Sequence, residues 1–149
     1  MEEQTDIRTK CLLAFYEIYP LSRKLVFDTF DKKKYNITRT QQIILLSLSV
    51  CGSLTMSNLA SRINTSNEQA TRAVAQLVGK GLVERAHDPQ NRRIVNISLT
   101  PEAEVFLTKM KAEIRGDLLN RFSVVTDEEM AELYRSLCCV DDILKKVIR

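Results

Sequence analysis

Between residues 57 and 93 the chain carries side chains suited to recognising another molecule through hydrogen bonds, not to breaking its bonds. Asn67, Gln69, Thr71, Arg72 and Gln76 lie close together, Ser57 and Arg62 precede them, and Arg92 and Arg93 follow as a pair. Asn, Gln and Arg present planar forks of donors and acceptors that match nucleic-acid base edges, while Ser and Thr hydroxyls suit phosphate oxygens. Catalysis finds no such material. There is one histidine, His87, and no Gly-rich phosphate loop. The four cysteines, Cys11, Cys51, Cys138 and Cys139, have neither CxxC spacing nor a histidine cluster. No catalytic residue, cofactor, metal site or disulfide framework is therefore expected.

The charge distribution agrees with the first reading. The net charge is only +3, from 22 basic and 19 acidic residues. Residues 55–99, however, hold six basic residues (Arg62, Arg72, Lys80, Arg85, Arg92, Arg93) against Glu68, Glu84 and Asp88, whereas residues 101–149 hold ten acids and eight bases. The positive surplus thus falls where the polar recognition residues lie. No apolar run approaches the roughly 18 residues of a membrane span, and nothing resembles a signal peptide, so a cytoplasmic protein with reduced thiols and no membrane partner is expected.

The elements that must position these residues are mostly helical. Gly and Pro number only 4 and 3 in 149 residues, which favours long helices. A helix is predicted from 6 to about 33, with Ile7, Cys11, Ala14, Ile18, Leu21 and Leu25 on one stripe and a kink or break at Pro20. Thr38-x-x-Gln41 reads as a capping box for a helix over 38–50, whose run Ile43 to Val50 is apolar almost all round and should be buried on several sides. After Gly52, Thr55 caps a short helix to about Ile63, and Asn64 suits a left-handed turn. Ser66-x-x-Gln69 caps the next helix, which runs to Lys80 with Ala70, Val74, Leu77 and Val78 inward and Gly81 as its stop.

The period then changes to two. Leu82–Ala86 and Val95–Leu99 are predicted strands, joined by Asp88-Pro89-Gln90-Asn91 with the chemistry of a type I turn. Thr100-Pro101 opens a long helix with Ala103, Leu107, Met110, Ile114 and Leu118 on one stripe. Thr126-x-x-Glu129 opens a last helix, in which Met130, Leu133, Leu137, Val140, Leu144 and Val147 recur at the 3.5-residue spacing of helices packed lengthwise.

Two short helices, a tight turn and a hairpin make a winged helix-turn-helix. The fold expected is mainly α with a small β-hairpin wing. It is read as one domain over 1–149, with the winged part at about 37–100 and dimerisation helices at about 6–33 and 101–148. The second short helix can enter a major groove, anchored by its apolar face and exposing Glu68, Arg72 and Gln76, with Asn67, Gln69 and Thr71 near its start. The hairpin tip offers Arg92 and Arg93 to the adjacent minor groove.

The order Ala70-Thr71-Arg72, Leu77-Val78-x-Lys80-Gly81-Leu82-Val83-Glu84-Arg85, Asp88-Pro89-Gln90-Asn91-Arg92-Arg93 and Leu99-Thr100-Pro101-Glu102 resembles the multiple-antibiotic-resistance regulator (MarR) family, as do Ile37-Thr38-x-x-Gln41 and Leu59-Ala60 upstream. The resemblance implies an obligate homodimer with intertwined terminal helices. Such a dimer would act as a sequence-specific transcriptional repressor on a pseudo-palindromic operator in double-stranded DNA, released by a small, often phenolic or aromatic, ligand or by an oxidant. By position it implies that Thr71 and Arg72 face the major groove and that Arg93 is the wing arginine. Asn91 departs from the family's usual Asp, which braces that arginine; Asn still accepts a hydrogen bond, but without charge assistance.

Other readings stay open at this point. Phe15, Tyr16, Tyr19 and Arg23, with Leu48 of the buried helix, could line a ligand cleft or belong to a core. Cys11 could be a redox site, yet lies about one turn too early for the family's N-terminal sensor cysteine, so burial is the plainer reading. Cys138 and Cys139 are neighbours on a helix and point apart, and His87 is expected at the surface beside the turn. The alternative function is a winged-helix protein-interaction module that does not touch DNA.

Overall fold

The computed structural model describes residues 6–28 and 32–148. Its elements are α1 (Ile7–Asp28), α2 (Lys32–Tyr35), α3 (Arg39–Cys51), β1 (Leu54–Thr55), α4 (Met56–Arg62), α5 (Asn67–Gly79), β2 (Val83–His87), β3 (Val95–Leu99), α6 (Pro101–Arg121), a 3₁₀ turn at Phe122–Val124, and α7 (Asp127–Val147). The chain forms two compact units, one ending at Ile114 and the other beginning at Arg115.

In the first unit, α3 is the central post. Thr38 accepts from the Gln41 N–H, and Gln41 Oε1 accepts from the Thr38 N–H, closing a reciprocal cap. Ile44, Leu45 and Leu48 of α3 are buried with Ile37, Leu59, Val74, Leu77, Val83, Ile97, Leu107 and Met110 in a single core. The burial is not all round, because Val50 at the end of α3 is exposed.

α4 and α5 form the helix-turn-helix. Thr55 caps α4 and Ser66 caps α5, each accepting from the N–H three residues on. Asn64 between them adopts φ 53°, and the Thr65 N–H returns to the Ala60 carbonyl. α5 buries Ala70, Ala73, Val74 and Leu77, an i, i+3, i+4, i+7 stripe. Ala73 replaces the expected Val78, which is 40% exposed: it lies a further 100° round the helix from Leu77. The helix closes on Gly81, at φ 72°, with Gly81 N–H bonding the Val78 carbonyl and Leu82 N–H the Leu77 carbonyl. That closure takes up Leu82, so β2 begins at Val83, one residue later than expected.

β2 and β3 pair antiparallel, Val83 opposite Leu99 and Arg85 opposite Ile97. A third strand was not anticipated. The two-residue β1 pairs with the other edge of β3, Leu54 opposite Ile97, giving the order β1-β3-β2. Thr100 then joins sheet to helix: its hydroxyl donates to the Gly81 carbonyl and accepts from the Ala103 N–H. α6 buries Ala103, Leu107 and Met110.

The first helix differs from expectation. α1 runs through Pro20 without interruption. Proline leaves the Tyr16 carbonyl without its helical donor, but Tyr16 is exposed, and water can serve an exposed carbonyl at little cost. α1 is described as far as Asp28, residues 29–31 of the expected helix lie outside the described residues, and Lys32–Tyr35 is again helical. In the second unit, Thr126 and Glu129 close a reciprocal cap on α7. Neither α1 nor α7 has a buried residue. No helix among the described residues is long and apolar enough to cross a membrane.

Candidate nucleic-acid interface

Ser57, Arg62, Asn67, Gln69, Thr71, Arg72, Gln76, Arg92 and Arg93 are all exposed, so none is held in place by the core. Several are held by neighbours. Thr71 donates to the Asn67 carbonyl one turn back, and Thr65 donates to Gln69 Oε1 at 2.5 Å. Arg72 reaches Glu68 at 3.1 Å, an i, i+4 pair whose side chains are 71% and 81% exposed. Water screens a pair so open, so Glu68 orients Arg72 only weakly and yields easily to a better anion.

Gln76 is anchored more firmly. The Gln41 amide, buried at the head of α3, donates from Nε2 to Gln76 Oε1 at 2.7 Å. Sequence reasoning recognised Gln41 only as a helix cap. Its second bond joins residues 35 apart, and no local pattern signals that. Beside it, Lys80 Nζ donates to the Asn36 carbonyl, tying the far end of α5 to the segment before α3.

The wing tip is held by side-chain acceptors. Asp88 Oδ1 accepts from the N–H groups of Gln90 and Asn91, and Asn91 Oδ1 accepts from the Arg93 N–H at 3.1 Å. Asn91 thus braces the backbone of Arg93. His87 Nδ1 lies 2.9 Å from the Arg92 carbonyl, which can only accept, so the ring holds its proton on Nδ1. His87 is a surface residue, as expected, with a structural task. Among the described residues no carboxylate pairs with Arg92 or Arg93.

The other candidates lie elsewhere. Phe15, Tyr16 and Tyr19 are exposed on α1, and Arg23 stacks over Phe27 at 5.5 Å, while Leu48 is deep in the core. Arg39, at the start of α3, covers the same ring at 3.9 Å and so links α1 to α3. Cys11, Cys138 and Cys139 are exposed free thiols, and Cys51 is half-buried. Among the described residues no group of three or more His, Cys, Asp or Glu is placed to hold a metal.

Comparison with known proteins places this architecture. Residues 37–95 match the model of the MarR family. The transcriptional repressor MdtR of Bacillus subtilis is 30% identical over 128 residues, covering 86% of this chain and 79% of its own. Among solved structures, apo MarR of E. coli superposes with a TM-score of 0.75 at 22% identity, over 93% of this chain and 98% of that one. A mutant E. coli MarR in complex with operator DNA superposes with a TM-score of 0.63 at 24% identity, over 91% and 99%. This chain therefore belongs to the MarR family: it is a DNA-binding transcriptional regulator with a winged helix-turn-helix, not an enzyme.

Proposed function

We propose that the protein is a homodimeric repressor of a pseudo-palindromic operator, with α5 of each protomer in a major groove and each wing in the flanking minor groove. The observation that carries this reading is a pair of exposed arginine groups on two rigid supports. Arg72 projects from α5, whose opposite face is locked into the core, and Arg92 and Arg93 project from a tip pinned by Asp88, Asn91 and His87. Asn67, Gln69, Thr71 and Gln76 supply further base or phosphate contacts from α5, and Ser57 and Arg62 phosphate contacts from α4. Repression is also the activity named for the B. subtilis relative.

The dimer would form through α1 and α7. Both carry large apolar side chains, Leu12, Phe15, Tyr16 and Tyr19 on the first and Leu133, Leu137, Val140 and Ile143 on the second, and the chain buries none of them. A small aromatic or phenolic ligand, received near Phe15, Tyr16, Tyr19 and Arg23, would release the operator; oxidation of the exposed Cys11 is the other route to release.

Binding-site selection from random duplexes, repeated with salicylate or peroxide, tests the whole reading. Enrichment of a sequence with two-fold symmetry, and loss of retention in high salt, are the expected results. A protein that retains no duplex at low salt would instead be an interaction module.

A further inference from the structure

We infer that Gln41 fixes the side-chain amide of Gln76 so that Gln76 meets DNA through its NH₂ group alone, making it a reader of acceptor edges, guanine above all. The inference rests on the proposed docking of α5 and adds a direction that docking does not supply.

The two ends of an amide are told apart by their partners. The Thr38 N–H can only donate, so the Gln41 atom 2.9 Å from it is the oxygen. The other end of Gln41 is then Nε2, and the Gln76 atom facing it at 2.7 Å has to be an acceptor, Oε1. One backbone proton thereby sets both amides. Turning Gln41 over would set its NH₂ against the Thr38 N–H; turning Gln76 over would set two NH₂ groups face to face. Gln41 is 2% exposed, so water cannot replace the missing acceptor, and a buried donor left unpaired costs more than a bond of this kind contributes.

Gln76 itself is exposed and one turn beyond Arg72 on α5. It borders both the cleft it shares with Gln41 and Lys80 and the one it shares with Gln69 and Arg72. With Oε1 turned inward, its outward group is Nε2. A free glutamine reads adenine by donating to N7 while accepting from N6–H. An NH₂ alone finds two neighbouring acceptors at guanine N7 and O6, single ones at adenine N7 and thymine O4, and none at cytosine N4.

Gln41→Glu reverses the arrangement. Glutamate keeps an oxygen for the Thr38 N–H, as the usual partner in a capping box, but its second oxygen also accepts. Gln76 then turns to donate inward and presents Oε1 to the groove. Gln41→Met removes the constraint altogether. Site selection with the intact dimer at mildly alkaline pH, followed by affinities on duplexes differing at one base pair per half-site, reads the result; thermal melting reports the fold of each variant.

Wild type is expected to favour guanine over cytosine at one position by about five- to tenfold, the worth of one good hydrogen bond. Gln76→Ala should flatten that position alone, Gln41→Met should admit adenine there beside guanine, and Gln41→Glu should move it toward adenine or cytosine. Even weakening of all sequences by Gln76→Ala, which marks a phosphate contact, overturns the inference. So does a Gln41→Met or folded Gln41→Glu protein that selects as wild type does. Wild type that retains no duplex defeats the docking proposal instead, a separate failure.

Discussion

At the scale of single residues, the two arginine groups should do different work. In the proposed docking Arg72 would leave a weak, open pair with Glu68 to enter the groove, so the free protein would give up little on binding. Arg72→Ala should cost about 1–3 kcal/mol of operator affinity and relax one position per half-site. Arg93→Ala should weaken binding to all sequences and lower the slope of log affinity against log salt by roughly 0.9 for each phosphate no longer neutralised. Affinity on matched and one-base-changed operators at two salt concentrations, for both variants, separates the effects; two variants that bind as wild type does would place the binding surface elsewhere. Neither side chain is in the core, so both proteins should melt as wild type does. The types of these residues were legible in the sequence, because exposed Arg, Asn and Gln on a short helix already state their chemistry. Their partners were not. Asn91 was recognisable as an acceptor near Arg93, yet only the folded turn places its oxygen on the backbone N–H.

At the scale of elements, what the sequence told best was local. Four cap threonines and serines, Thr38, Thr55, Ser66 and Thr126, each accept from the N–H three residues on, and Asn64 and Gly81 take the positive φ that their turns require. These bonds are closed within a few residues, so spacing reveals them. β1 was missed because a strand of two residues has no period, and exists only because β3 offers it an edge. The contact between α2 and α6 is equally non-local. Glu113 of α6 accepts from the Tyr35 hydroxyl and pairs with Lys34 Nζ at 2.9 Å. The Tyr35 hydrogen bond first, and the Lys34 bond second, hold the Glu113 carboxyl below its ordinary value of 4.5. A carboxylate whose folded pKa is depressed stabilises the protein above its unfolded value and loses that contribution as pH falls through the lower folded one. Glu113→Gln should therefore lower the melting temperature at neutral pH, with the deficit shrinking as the pH drops below about 4.5. Melting curves of both proteins from neutral to acid pH decide it; a deficit that is constant with pH would mean that packing, not the charge, is what the substitution removes.

At the scale of the whole molecule, the charge pattern and the uncovered apolar faces divide the labour. Residues 55–99 carry the basic surplus, and residues 101–149 carry more acids than bases, so attraction to a polyanion is concentrated on the winged part. A single such module has few groups with which to hold DNA. Two of them joined rigidly bind as one ligand with an effective concentration, and affinity can rise by about 10²–10⁴ with no new interaction at either site. In the proposed dimer the means of joining would be α7, where Leu133, Leu137, Val140 and Val147 stay exposed on a stripe of threes and fours, 57% in the case of Leu137. Such a stripe is the seam of lengthwise helix packing, and water is a poor partner for it. Leu137→Asp combined with Val140→Asp places two charges on that seam, while Thr126 and Glu129 still cap the helix. Sedimentation at micromolar concentration should give a dimer for wild type and a monomer for the double variant, with helical circular dichroism retained. The monomer should still show salt-dependent attraction to DNA, because its arginines are intact, but should bind the symmetric operator at least tenfold more weakly. A variant that stays dimeric would assign the interface to other residues, and a folded monomer that binds the full operator as wild type does would remove the need for a dimer in recognition.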